Sequence, residues 1–177
     1  MDTSSLRIAS ESERITRVIA ERIARHISNT KKKKGAYLIL LKGDLGSGKT
    51  TFAKGLLGYF GIRPRAASPT FVIIKRYNIR TRNKKQGIRV DNVYHIDAYR
   101  LRSKKDLDVL GYKETLLDSR ALVLIEWPEK VRGVERNADL VIFFEYGEKE
   151  HQRIITIKNP TKKRFVGQEN KDLRVRR

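Results

Sequence analysis

Cysteine is absent from the sequence, which removes disulfide frameworks, thiolate zinc sites and cysteine nucleophiles together. Long hydrophobic runs are missing too. A representative apolar stretch, AYLILL at 36–41, has six residues, far short of the ~20 that a membrane-spanning helix needs. The opening residues, MDTSSLRIASESER, lack the apolar core of a secretory signal and carry acids that a transit peptide avoids. A soluble, cytoplasmic protein without membrane contact is therefore expected. Acidic residues are scarce, 20 Asp and Glu against 40 Lys and Arg, which leaves a formal charge of +20. No aromatic-rich recognition motif accompanies that charge, so any polyanion would be met through its phosphates rather than its bases. Internal repeats and a clear domain linker are absent as well.

What remains is enough for one folded domain. The chain has 177 residues, and its hydrophobic content of 39% comes in compact runs, which supports a single core despite 34% charged residues. The positive charge is clustered: Lys31 to Lys34, the stretch NIRTRNKKQGIR at 78–89, and the tail NPTKKRFVGQENKDLRVRR at 159–177. All three fall between or after the periodic segments. They read as loops and a flexible basic tail at 161–177, with the folded domain in 1–160. Such clusters are either solvated surface or a footprint for a polyanion.

The periodic segments alternate. Ser10 and Glu13 have the spacing of a capping box, opening a helix with apolar residues at 15, 18, 19, 23 and 27. The run 36–41 reads as a buried central strand. A helix over 49–60 follows, ended by Gly61. TFVIIKRYNI and VDNVYHID read as strands, SKKDLDVLGYKETLLD as a helix broken near Gly111, and ALVLIEW, DLVIFFEYG and RIITIKN as three more strands. The pattern predicts an α/β fold, a single P-loop NTPase-like domain with a mixed, mostly parallel sheet and helices on both faces.

Chemistry enters at GDLGSGKTTF, 43–52. Gly43, Gly48, Lys49 and Thr50 satisfy G-x-x-x-x-G-K-[ST] between a predicted strand and a predicted helix, the setting this motif requires. Glycines let the backbone turn its N–H groups around an anion, and the helix N-terminus adds partial positive charge. Lys49 would reach the β- and γ-phosphates, and the Thr50 hydroxyl would ligate Mg²⁺. Magnesium and water also need carboxylates. Asp97 and Glu126 each close an apolar strand, at the sheet edge where α/β folds bind ligands.

These stretches together are similar to those of a known family. GDLGSGKTTFAKGLL, SPTFVIIKRY, YHIDAYRL, LGY and LIEWPEK follow the order and spacing of TsaE (also called YjeE), over about residues 10 to 147. The resemblance implies an ATPase required for threonylcarbamoyladenosine formation at position 37 of tRNA, with ATP and Mg²⁺ as cofactors. It would support turnover of a TsaD–TsaB complex, hydrolysing slowly alone and faster with its partners. It also implies that Gly46, Ser47, Gly48, Lys49, Thr50 and Thr51 wrap the phosphates. Ser68, Pro69 and Thr70 match a nucleotide-sensing switch, with Thr70 reaching the γ-phosphate or the metal shell. Asp97 matches the acid of H-x-D-x-Y-R and Glu126 a Mg²⁺-shell acid, with Trp127 beside it as a site wall or as core. His95 is expected to be structural, and Thr16 to lie near the nucleotide base.

Basicity is where the chain departs from that pattern. Arg80, Arg82, Lys84, Lys85 and the tail from Lys162 onward are candidates for direct contact with tRNA phosphates. Two further readings of the loop stay open: a P-loop nucleotide or small-molecule kinase, and a nucleic-acid-binding module that only senses nucleotide. No arginine-rich lid or acceptor-binding insertion supports the first.

Overall fold

In the computed structural model, residues 5–29, 34–63, 73–79 and 90–160 are described. Seven strands form one sheet: β1 (Ser5–Ser10), β2 (Tyr37–Gly43), β3 (Ile74–Asn78), β4 (Asn92–Asp97), β5 (Ala121–Glu126), β6 (Leu140–Tyr146) and β7 (Arg153–Lys158). Their spatial order is β1-β7-β6-β2-β5-β4-β3. The four central strands, β6, β2, β5 and β4, run parallel, whereas β1, β7 and β3 pair antiparallel at the two flanks. The helices are α1 (Glu13–Asn29), α2 (Lys49–Tyr59), α3 (Lys104–Val109) and α4 (Tyr112–Leu117).

Strand alternation divides the core in two. Ile39 and Leu41 of β2 face α1 and α2, joining Ile19, Ile23, Phe52 and Leu56. Leu38 and Leu40 face the opposite side with Leu107 and Tyr112 of α3 and α4. Both faces of β2 and β5 are thus buried, which explains their uninterrupted apolar sequences. The α/β architecture with helices on both faces is as the sequence predicts, including the break at Gly111 between α3 and α4. No helix among the described residues is long and apolar enough to cross a membrane.

The N-terminus differs from expectation. Residues 5–10 form an edge strand, paired from Ser5↔Lys158 to Ser10↔Arg153. Ser10 is therefore not the helix cap. Its hydroxyl donates to the Ser12 carbonyl, and the Ser12 hydroxyl instead accepts from the Ile15 N–H at 3.3 Å. Pairing with a strand more than 140 residues away holds Ser10 in the sheet, and the chain turns at the next two residues. The basic segments at 80–85 and from 162 onward lie outside the described residues.

Gly55 sets the approach of α2 to α1. A Cβ there would sit 2.7 Å from the Arg17 Cα and 3.0 Å from the Ala20 Cβ. Gly58, on the same helix, has open space around it. Gly55→Ala should therefore lower stability by about 1–3 kcal/mol through forced separation of the helices. Gly58→Ala should be neutral or stabilising by up to ~1 kcal/mol, because alanine favours the helix. Urea unfolding midpoints measure both, and similar effects of the two substitutions would contradict this packing.

Candidate functional site: a phosphate loop between three strand ends

The loop from β2 to α2 lies between strands whose C-terminal ends supply the acids. Register places Leu41 opposite Glu126, and Glu126 opposite Asp97. Parallel pairing thus brings to one edge residues that are 29 and more positions apart in sequence. The turn itself depends on glycine. Gly43 has φ 144° and Gly48 φ 105°, and a Cβ at Gly43 would run into the Phe144 carbonyl. Gly48 leads directly into α2, so the first N–H groups of the helix, which lack intrahelical acceptors, face the loop.

Lys49 is only 4% exposed. Its ammonium donates to the carbonyls of Gly43 and Asp44, both at 2.7 Å, and lies 3.7 Å from the centre of the Trp127 ring. Desolvation pushes the lysine below its ordinary range, and the charges of Glu126, Glu129, Asp44 and Asp97 partly oppose that shift. A cation held this way is stabilised by dipoles and a π face, and an incoming polyanion offers it a stronger partner. Trp127 thus meets Lys49 with its ring and also packs against the core on the α3–α4 side of the sheet. It has φ 59°, the one positive φ at a non-glycine among the described residues, and its ring also meets Tyr99 at 5.1 Å.

Thr50 donates its hydroxyl to Glu126 Oε2 at 2.9 Å. The other oxygen, Oε1, is 2.8 Å from His95 Nε2. Glu126 is 2% exposed and His95 5%, so this contact is buried on both sides. Asp97 accepts from the Tyr99 N–H at 3.1 Å, at the turn beyond β4. Ser47 is fully buried, and its hydroxyl has no hydrogen-bond partner among the described residues. That oxygen lies toward Gly43, where an added Cβ would come within 2.9 Å of it. No cluster of three or more His, Cys, Asp or Glu side chains suited to a metal occurs among the described residues. Thr50 and Glu126 together offer a sparse pair of oxygen donors, which could hold a hard cation such as Mg²⁺ only alongside other oxygens. Thr51 follows on the first turn of α2.

Thr16 is 2% exposed and its hydroxyl lies 2.8 Å from that of Ser10. Thr70, with Ser68 and Pro69, lies outside the described residues.

Over residues 10–155 the chain matches the family model described as "Threonylcarbamoyl adenosine biosynthesis protein TsaE". The chain belongs to the TsaE family. A Haemophilus influenzae relative, "tRNA threonylcarbamoyladenosine biosynthesis protein TsaE", is 33% identical over 111 residues, covering 63% of this chain and 64% of the relative. The same description applies to a Borreliella burgdorferi protein, 39% identical over 52% of this chain and 60% of its own, and to a Rickettsia conorii protein, 36% identical over 54% and 49%. These matches thus span 49% to 64% of the relatives' lengths. Among solved structures, the crystal structure of a Bacillus protein, YdiB, superposes with a TM-score of 0.59 at 26% identity, covering 96% of this chain and 90% of that one. The seven-stranded sheet and its phosphate loop are therefore a TsaE fold.

Sequence reading missed the far wall of this TsaE site. From the β6–β7 hairpin, the Tyr146 hydroxyl donates to the Leu45 carbonyl, and Arg153 Nη2 donates to the Gly46 carbonyl at 3.3 Å. The guanidinium also stacks 4.8 Å from the Tyr146 ring. These two bonds fix the orientation of the Leu45 and Gly46 carbonyls, so the pair positions the loop. Neither residue belongs to a recognised motif, and their common position at the hairpin emerges only from the pairing of β6 with β7. Tyr146→Phe or Arg153→Gln should each weaken nucleotide binding about 5–10-fold, the worth of one hydrogen bond. Unfolding stability should move by less than ~0.5 kcal/mol, as expected for surface groups. Calorimetric titration beside thermal unfolding checks both, and unchanged affinity in the two variants would contradict the assignment.

Proposed function

We propose that this chain is the ATPase of tRNA threonylcarbamoyladenosine formation, binding and hydrolysing ATP with Mg²⁺ to support turnover of a threonylcarbamoyl transferase complex of TsaD and TsaB type. The observation that carries the reading is the buried contact of Thr50 with Glu126 beside a desolvated Lys49. It joins, at one sheet edge, two of the oxygen ligands a magnesium ion would take and the cation a phosphate needs. Family membership supplies the pathway, and the cytoplasm is the compartment where that reading places the chain.

In this reading Gly43 and the backbone from Gly46 through Ser47, Gly48, Lys49, Thr50 and Thr51 cradle the phosphates. Lys49 leaves the Gly43 and Asp44 carbonyls for the β- and γ-phosphate oxygens. Thr50 and Glu126 hold Mg²⁺, with His95 fixing the orientation of Glu126. When bound, the ion neutralises charge on the transferring group. Asp97, at the neighbouring strand end, orients the attacking water, and Thr70 senses the γ-phosphate. Slow turnover alone and faster turnover with the partner complex are expected. Direct contact of tRNA with Arg80, Arg82, Lys84, Lys85 and the tail from Lys162 belongs to the same reading.

Lys49→Ala and Thr50→Ala should each lower ATP turnover at least ~100-fold, the loss typical when a transition-state contact disappears. Turnover is measured as phosphate release with and without the partner complex, alongside reconstituted tRNA modification. Wild-type turnover in Lys49→Ala would overturn the site, and formation of ADP with a phosphorylated small-molecule acceptor in place of free phosphate would favour a kinase.

The two acids should separate. Glu126→Ala should raise the Mg²⁺ concentration needed for half-maximal activity, whereas Asp97→Ala should abolish turnover and leave Mg²⁺-ATP binding largely intact. A magnesium titration of both variants reads this directly, and identical metal dependence would refute the division of roles.

A further inference from the structure

A second surface lies at the opposite edge of the sheet. A groove of about 610 Å³ opens where β2 and β6 begin, between the end of α4 and the short 3₁₀ turn Glu135–Asn137. Lys34, Lys104, Lys113 and Arg136 line it, against a single carboxylate, Asp139. That carboxylate is turned into the fold, accepting from the Leu38 N–H at 2.8 Å. Lys113 reaches Asp108 at 3.3 Å but keeps 69% of its side chain exposed. Leu116 and Leu117 supply an apolar flank. In sequence, Lys34 ends the run of four lysines that begins at Lys31, so the groove is covalently continuous with further positive charge. Gly35 fastens the entry to β2: a Cβ there would sit 2.6 Å from the Leu116 carbonyl, which accepts from the Ala36 N–H at 2.9 Å.

We propose that this groove is a binding surface for the phosphodiester backbone of tRNA, separate from the nucleotide site. Cations drawn from three different elements around one concave surface, with one engaged carboxylate among them, match a polyanion by charge. An RNA backbone is favoured over an acidic protein because this family's pathway modifies tRNA. The absence of an aromatic at the groove other than the buried Tyr112 points to phosphates, not bases. Seven residues of β2 separate the groove from the phosphate loop, about 20 Å at the rise of a strand. RNA and nucleotide can therefore be held at once, on opposite edges of the same sheet. The choice of tRNA as the occupant rests on the functional reading above; the groove's charge does not.

The test uses the full chain and an unmodified tRNA transcript, with anisotropy measured between about 50 and 200 mM salt. The variant is Lys34→Glu combined with Lys104→Glu and Arg136→Glu. Loss of three phosphate contacts should weaken binding at least ~10-fold at the low-salt end and reduce the log–log salt slope by about 2–3. The corresponding glutamine variant should show the same reduced slope with a smaller loss. ATP binding should be unchanged in both, which also reports a folded protein. Wild-type affinity and slope in the glutamate variant would overturn the proposal and leave tRNA binding to the other basic segments. Weakened binding to the transferase complex with wild-type tRNA binding would overturn it too, in favour of an acidic protein surface. Failure of the ATPase assignment would appear instead as ATP turnover insensitive to Lys49→Ala, with the groove variants still losing RNA.

Discussion

The Glu126 carboxylate is the point on which the site depends. It sits at 2% exposure with one oxygen on Thr50 and the other on His95. A carboxylate this deep is costly unless its oxygens are satisfied, and each of these bonds comes from a different element. Thr50 belongs to α2, His95 to β4, and Glu126 to β5. One buried acid therefore ties the start of the loop helix to two adjacent strands. Any displacement of α2 along the sheet would leave it partnerless, so the phosphate loop is held in register before a ligand arrives.

Lys49 shows the complementary arrangement. Its charge is taken out of water and lodged between two carbonyls and the Trp127 face. Those interactions satisfy the ammonium but do not neutralise it, which keeps it ready to exchange partners. Tyr146 and Arg153 complete the frame from the other side by holding the carbonyls of Leu45 and Gly46. The loop is thus fixed by β4 and β5 on one flank and by the β6–β7 hairpin on the other. Preorganisation of this kind keeps reorientation of the backbone out of the binding step.

The distribution of charge follows the same division of the sheet. At the C-terminal strand ends, acids and Lys49, the single buried lysine among the described residues, balance one another around the loop that follows β2. At the N-terminal ends of β2 and β6, positive charge collects almost alone in the groove. The strongly apolar strands between them, buried on both faces, separate the two polar edges.

Much of this was legible in the residues. The phosphate loop announces itself because glycine, lysine and threonine at fixed spacing have few other uses between a strand and a helix. The central strands were readable for a related reason: burial on both faces leaves no polar alternation, as in LILL and ALVLI. Acids at two strand ends were visible as candidates, since order along the chain locates a strand's end. Tertiary structure alone decided which groups meet. Strand β1 was hidden because its six residues become a strand only through β7, at the far end of the chain, and that pairing also moved the helix cap from Ser10 to Ser12. The contact of Thr50 with Glu126 spans 76 positions, and the hairpin residues that hold the loop lie about a hundred positions beyond it. Local sequence fixes backbone preference and hydrophobic period, which are short-range properties. Side-chain partnership across a sheet is set by strand order and register, and those are settled only when the whole core packs.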